Sequence, residues 1–135
     1  MEKAREIAGF SDYGSIYHGC VAVYKGHIIA TGFNTNKTHP IQLYYNRFRE
    51  LNNDDKNLSP KLHAEINCLN QIRHFDIDFK KVKLYIYRVR KDRAYSLSRP
   101  CPSCMAAIID LGIKNIYYTT DDGYAHEKIE RRIVA

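Results

Sequence analysis

The sequence has few of the features that mark membrane, secreted or disordered proteins. No apolar run approaches the roughly 20 residues that a helix needs to span a membrane. The first residues, MEKAREIAGF, contain no apolar core of a secretory signal peptide, which favours a cytoplasmic location. Internal repeats, low-complexity segments and linkers are also absent from the sequence. We therefore expect a single domain over residues 1–135, a length that suits one hydrophobic core.

The composition is that of a folded and moderately basic protein. Hydrophobic residues make up 44% of the chain and include 11 Tyr and 5 Phe, enough for a core and unlike a disordered composition. The formal charge of +6 and the pI of about 9.1 suit a phosphate-bearing partner, from a nucleotide to a nucleic acid. A solvated basic surface would give the same values, so charge alone leaves both interpretations open.

The order of apolar segments predicts strands separated by helices. A helix end is expected over residues 3–8, and a hairpin over the strands Cys20–Tyr24 and Ile28–Phe33. Further on, the spacing predicts a short helix in IQLYYNRFREL, then in turn a helix over Leu62–Arg73, a strand over Lys83–Val89, a helix over Pro102–Leu111 and a strand over Asn115–Thr120. After a tight turn, residues 124–129 are expected to return as an antiparallel strand, with a helix over 124–132 as the alternative. This order indicates a layered α/β domain.

The cysteines narrow the chemistry of the chain. Four cysteines could form two disulfides in a secreted protein, whereas a close pair in a cytosolic protein more often binds metal or performs redox chemistry. Cys101-Pro102-Ser103-Cys104 is such a pair. A redox role expects a thioredoxin-like strand and helix around it, and the predicted strand lies some way upstream. Two thiolates instead supply half of a tetrahedral zinc shell. Cys20 and Cys68 are expected to be buried packing residues.

A histidine and a glutamate complete the expected site. His63 is the best candidate for the third zinc ligand, because it begins the helix predicted over Leu62–Arg73. Glu65, two residues later, is expected to take a proton from a zinc-bound water and pass it on. His-x-Glu followed by Pro-Cys-x-x-Cys is a known signature of zinc deaminases, so this assignment is a match to that signature.

On these motifs the chain resembles the cytidine deaminase-like superfamily of zinc-dependent deaminases, and its motifs are closest to those of deoxycytidylate deaminase-like members. The matching stretches are GFN at 32–34, LHAEINCL at 62–69 and RPCPSCMAAIIDLGIKNIYY at 99–118. The resemblance implies a three-layer α/β/α fold with a central mixed five-stranded sheet. It also implies zinc held by His63, Cys101 and Cys104, Glu65 as the proton shuttle, and assembly into a homo-oligomer. The backbone at Ala64 would contact the base or the attacked group, and Asn34 would contact the sugar.

The same resemblance bears on the substrate. Free-nucleoside deaminases usually carry Asn and Glu two residues apart, whereas this sequence has Asn34-Thr35-Asn36, and deoxycytidylate deaminases share the His-Ala-Glu and Gly-x-Asn patterns. We expect hydrolytic conversion of cytosine to uracil in a nucleotide, with dCMP favoured. One alternative is a deaminase acting on cytosine or adenine in single-stranded DNA or RNA, and another is a non-catalytic zinc domain that binds nucleic acid.

Two basic segments are candidates for substrate contact. Residues 88–99 are rich in arginine, and Arg88 and Arg99 are expected to contact phosphate, because guanidinium groups match phosphate oxygens. Residues 35–50 interleave basic and aromatic side chains, a pattern that suits binding of single-stranded nucleic acid but is also typical of a half-buried helix face. The side chains in this pattern are Lys37, His39, Tyr44, Tyr45, Arg47, Phe48 and Arg49. The remaining histidines, including His18 and His27, are expected to be structural or at the surface.

Overall fold

A computed structural model of the chain describes residues 1–9, 16–35, 40–52, 62–90 and 97–130. These residues form a five-stranded sheet with helices on both faces. The elements in chain order are α1 (Glu2–Ala8), β1 (Ile16–Tyr24), β2 (His27–Phe33), α2 (Pro40–Asn52), α3 (Ala64–Asn70), β3 (Val82–Arg90), α4 (Pro102–Leu111), β4 (Asn115–Thr120) and β5 (Gly123–Lys128), with a short 3-10 turn at Phe79–Lys81 before β3.

The sheet is mixed and has the strand order β2-β1-β3-β4-β5. β1 runs antiparallel to both β2 and β3, β3 is parallel to β4, and β5 returns antiparallel to β4. The carboxyl ends of β2, β3 and β4 therefore meet at one end of the sheet, together with the start of β1. Sites in α/β proteins form at this end of the strands.

Side chains along the strands alternate between the two faces of the sheet, and each face packs against its own helices. On one face of the sheet, Cys20 and Ala22 of β1 and Leu84 and Ile86 of β3 join a core with residues of α3 and α4, including Ile66, Leu69, Met105 and Ile108. On the other face, Val21 and Tyr87 pack against Ala4 and Ile7 of α1. Successive strand residues thus face opposite helical layers. The expected three-layer α/β/α arrangement is confirmed.

Two glycines let helices approach this sheet closely. A Cβ atom at Gly32 of β2 would lie 2.5 Å from the Cys68 nitrogen and 2.6 Å from the Ala64 oxygen, both in the backbone of α3. A Cβ atom at Gly19 of β1 would collide with the backbone of Ala4 and Ala8 on α1, across the sheet. Only glycine leaves room for these contacts, so Gly32 sets the distance between β2 and the helix that follows His63.

The predicted elements agree well with the structure. The bounds of α4 and β4 are confirmed, and residues 123–128 form the predicted antiparallel strand, so the alternative of a helix there is wrong. The predicted helix over Leu62–Arg73 is too long: His63 has an extended backbone and turns replace helix after Asn70. β1 begins earlier than predicted, at Ile16, because it pairs with β3 from that residue onward. Within the described ranges, no helix is long and apolar enough to cross a bilayer.

Candidate active site

The candidate site lies where α3 and α4 begin. His63 and Cys101 are the N-cap residues of these two helices, and both have extended backbone angles (φ −80°, ψ 154° and φ −66°, ψ 168°). Neither side chain caps its own helix, so the imidazole and the thiol remain available for other contacts. The backbone N–H of His63 donates instead to Oε1 of the buried Gln42, at 3.0 Å. Gln42 in turn donates to Asn46 at 2.8 Å, so α2 fixes the start of α3.

His63, Cys101 and Cys104 form a group that fits a zinc ion. His63 Nδ1 lies 3.3 Å from the Cys104 sulfur and 3.6 Å from the Cys101 sulfur, and the ligand atoms all lie within 4.8 Å of one another. A tetrahedral zinc shell with ordinary bond lengths separates nitrogen and sulfur ligands by roughly 3.5 Å. The positions of the three side chains therefore fit a zinc shell, and the described residues supply three of its four ligands.

The pKa values of the two thiols are shifted in opposite directions. Hydrogen bonding from Cys104 lowers the pKa of Cys101 to about 3, with further contributions from His63 and from Ser103, whose hydroxyl lies 3.1 Å from the Cys101 sulfur. Burial, together with the hydrogen bond to Cys101, raises the pKa of Cys104. The surroundings of Cys101 therefore favour its thiolate form even without a metal. Thiolates are the metal-binding form of cysteine, and a bound cation favours loss of the second proton.

Glu65 places a carboxyl group beside these thiols. It is the second residue of α3 and only 4% exposed, and its Oε1 atom has no hydrogen-bond partner among the described residues. Burial raises the pKa of Glu65, and the nearby Cys101 charge adds to the increase. A buried carboxyl oxygen without a partner is unusual in a purely structural site. It suits a group that exchanges protons with a bound ligand.

Three strands bring a row of polar residues to the same end of the sheet. Asn34, which follows β2, accepts a hydrogen bond from the backbone N–H of His18 on β1 at 2.9 Å. His18 is the ladder partner of Arg88 on β3. The N–H of Thr35 donates to the carbonyl of Leu62 at 3.0 Å, so the residue after Asn34 is tied to the residue before His63. Two of the predicted substrate-binding residues, Asn34 and Arg88, thus flank His18.

The other two predicted substrate-binding residues differ in their surroundings. Ala64 is fully buried as the first residue of α3, directly after His63. Arg99 forms a bidentate ion pair with Glu127 of β5, with N···O distances of 2.9 and 3.1 Å, and Tyr118 donates to the same carboxylate. The described contacts of Arg99 therefore lie on the β5 side, whereas Arg88 donates to the Leu97 carbonyl at 3.0 Å.

Sequence reasoning missed three residues around the site: His18, Gln42 and Ser103. Ser103 lies inside the Cys-x-x-Cys motif and could have been considered there, but no local signal identifies the other two. In α2, Tyr44 is exposed, but Tyr45 is buried and donates to Asp110 at 2.7 Å. Of these two aromatic candidates for nucleic-acid contact, Tyr44 therefore lies at the surface and Tyr45 packs in the interior. Several basic candidates lie outside the described residues, as whole residues or as side chains: Lys37, His39, Arg47, Arg49, Arg90, Lys91 and Arg93.

Comparison with known proteins agrees with this geometry. Solved structures with a similar fold include a dCMP deaminase from the cyanophage S-TIM5 (23% identity, 87% of this chain and 76% of that chain, TM-score 0.58) and a cytidine deaminase from Burkholderia pseudomallei (13%, 94% and 87%, TM-score 0.61). A search of curated proteins gave no match. The family model described as the cytidine and deoxycytidylate deaminase zinc-binding region matches residues 1–120. The chain therefore belongs to the cytidine and deoxycytidylate deaminase family and is a zinc-dependent deaminase.

Proposed function

We propose that the protein deaminates cytosine in a nucleotide, converting dCMP to dUMP as its main reaction. The observation that carries the proposal is the buried carboxyl of Glu65 beside the His63, Cys101 and Cys104 group. A zinc site that serves only the fold needs no such carboxyl, whereas hydrolysis needs a group that moves protons next to the metal. The family assignment supports the same reaction class.

In the proposed mechanism Glu65 moves the protons. Zinc held by His63, Cys101 and Cys104 would supply a water activated at neutral pH. Glu65 would accept one proton from that water and deliver it to the ring nitrogen while the water oxygen bonds to the carbon that carries the amine. It would then take the second proton from the new hydroxyl and deliver it to the amine as the carbon–nitrogen bond breaks. Ammonia leaves, and a carbonyl oxygen remains on the ring. The raised pKa of Glu65 suits proton transfer, because it makes the carboxylate a better proton acceptor than an ordinary glutamate.

Arg88 supports a nucleotide substrate. Its position across the ladder from His18, close to Asn34, would let a guanidinium face the phosphate while the amide of Asn34 contacts the sugar. We propose Arg99 as a second phosphate contact, in exchange with its ion pair to Glu127. A related solved structure, the S-TIM5 dCMP deaminase at 20% identity, holds dCMP and dUMP.

A substrate panel tests the proposal. Zinc-loaded protein is offered dCMP, dCTP, cytidine, deoxycytidine and single-stranded oligonucleotides that contain cytosine or adenine. We expect the highest kcat/KM for dCMP and no turnover by the Glu65→Ala variant. Turnover of oligonucleotides alone would contradict the nucleotide proposal and favour a polynucleotide deaminase. Zinc binding without turnover of any compound would favour a nucleic-acid-binding module.

A further inference from the structure

His18 has a buried nitrogen that no part of the proposed mechanism uses. Its side chain lies on the sheet face of Cys20, the face that carries the candidate site, since residues two apart in a strand share a face. The Nε2 atom is buried and has no hydrogen-bond partner in the part of the chain that the structure describes. Buried polar atoms in native proteins are nearly all hydrogen-bonded, so an unpartnered one beside a candidate site indicates a ligand group.

The surroundings of His18 make its ring neutral. Burial lowers the pKa of His18 to about 3, and the positive charge of Arg88 contributes to the shift. At neutral pH the imidazole therefore carries no charge and offers one N–H donor and one acceptor nitrogen. A phosphate is recognised by cations, and Arg88 already provides one in this row. His18 instead suits an uncharged polar group.

A sugar hydroxyl is the substrate group that matches this chemistry. A hydroxyl both donates and accepts, so it satisfies Nε2 whichever ring nitrogen carries the proton, whereas phosphate oxygens only accept. The backbone of His18 is also tied to the side chain of Asn34 at 2.9 Å, the residue expected beside the sugar. In a deoxyribonucleotide the sugar ring carries a single hydroxyl, at the 3′ position.

We propose that His18 Nε2 hydrogen-bonds the 3′-hydroxyl of the substrate and makes the enzyme select nucleotides that carry it. The inference rests on the proposed function, because it assigns a contact within the same substrate site. A nucleotide without this hydroxyl leaves a buried polar atom unpaired, and enzymes discriminate strongly through such losses. We expect kcat/KM to be about 10- to 100-fold lower for 2′,3′-dideoxycytidine monophosphate than for dCMP.

Kinetics of matched variants test the contact. His18→Val removes the ring nitrogen, and His18→Gln retains a polar group at about the same reach from the backbone. His27, an exposed histidine at the opposite end of the hairpin, provides the control variant His27→Val. We expect His18→Val to reduce the preference for dCMP over the dideoxy analogue to within about threefold. His18→Gln should retain much of the preference, and His27→Val should retain all of it.

An NMR experiment covers the case in which His18→Val does not fold. Zinc-loaded Glu65→Gln protein, labelled with 15N at histidine, is titrated with dCMP and with the dideoxy analogue. The Nε2 resonance of His18 should shift with dCMP and remain nearly unchanged with the analogue.

Two results would contradict this inference and leave the proposed function intact. These are an unchanged preference in a folded His18→Val variant that still deaminates dCMP, or equal NMR shifts with both nucleotides. If the wild-type protein turns over no nucleotide, the proposed function fails, and this inference fails with it.

Discussion

Substitution of Gly32 by alanine should weaken zinc binding without touching a metal ligand. The new Cβ would lie 2.5 Å from the Cys68 nitrogen and 2.6 Å from the Ala64 oxygen, where ordinary contacts begin near 3.4 Å. Both atoms belong to the backbone of α3, which cannot rotate away as a side chain can. α3 would have to retreat from β2 by roughly 1 Å, because protein interiors offer no spare volume. His63 and Glu65 would move with this helix.

The size of the effect follows from this geometry. Overpacking of this kind costs about 1–3 kcal/mol of stability. Zinc tolerates only about 0.2 Å of error in its ligand distances, so a displaced His63 should lower zinc affinity by about 10- to 100-fold. Urea denaturation of the metal-free protein measures the stability loss, and titration against a chromophoric chelator measures the zinc affinity.

Gly19→Ala provides the matched control for Gly32→Ala. Its Cβ would collide with the backbone of Ala4 and Ala8 in α1, on the opposite face of the sheet from the zinc group. We expect a comparable loss of stability but zinc affinity within about twofold of wild type. The reasoning is refuted if Gly32→Ala binds zinc as tightly as wild type, or if both variants lose zinc affinity equally.

Three further predictions concern Glu65, the candidate phosphate contacts and His18. Glu65→Gln should lower kcat by about 10²- to 10⁴-fold with unchanged zinc content by metal analysis; near-wild-type kcat would exclude it as the proton shuttle. Arg88→Gln should raise KM for dCMP but not for deoxycytidine. Arg99→Gln should raise KM for dCMP by less, because Arg99 already pairs with Glu127. Steady-state kinetics measure this, and an equal rise of KM for dCMP and for deoxycytidine would contradict a phosphate contact. The depressed pKa of His18, about 3 against 6.5 when unfolded, gives a stability contribution that is complete above pH 6.5 and is lost as pH falls toward 3. Urea denaturation of metal-free protein should therefore show that the free energy of unfolding falls between pH 6.5 and 4.5. This fall should be shallower in His18→Val than in wild type by about 1.4 kcal/mol per pH unit, and equal slopes would contradict a neutral, buried His18.

Local signals in the sequence were enough to predict the metal group and much of the fold. Pro102 and Gly112 mark the start and end of α4, and its bounds are confirmed. The Cys-x-x-Cys and His-x-Glu motifs carry their chemistry in residue types a few positions apart, so they can be recognised without a structure. The structure adds that the side chains of His63, Cys101 and Cys104 converge within 4.8 Å.

Contacts that depend on how distant segments pack together could not be predicted. His18 is only a histidine near the start of a strand until β1 is placed between β2 and β3, opposite Arg88. Gln42 reaches the backbone of His63 from a helix that begins 23 residues earlier, a contact without any local pattern. The ion pair of Arg99 likewise depends on β5 returning beside β4. Each of these contacts depends on tertiary structure, and one sequence does not specify it locally.

The most direct test of the central claim is to follow dCMP with the purified, zinc-loaded protein and quantify dUMP and ammonia together. The account predicts equal amounts of both products, loss of the reaction on zinc removal by a chelator, and recovery when zinc is restored. Absence of both products, in folded protein with zinc bound to His63, Cys101 and Cys104, would contradict it.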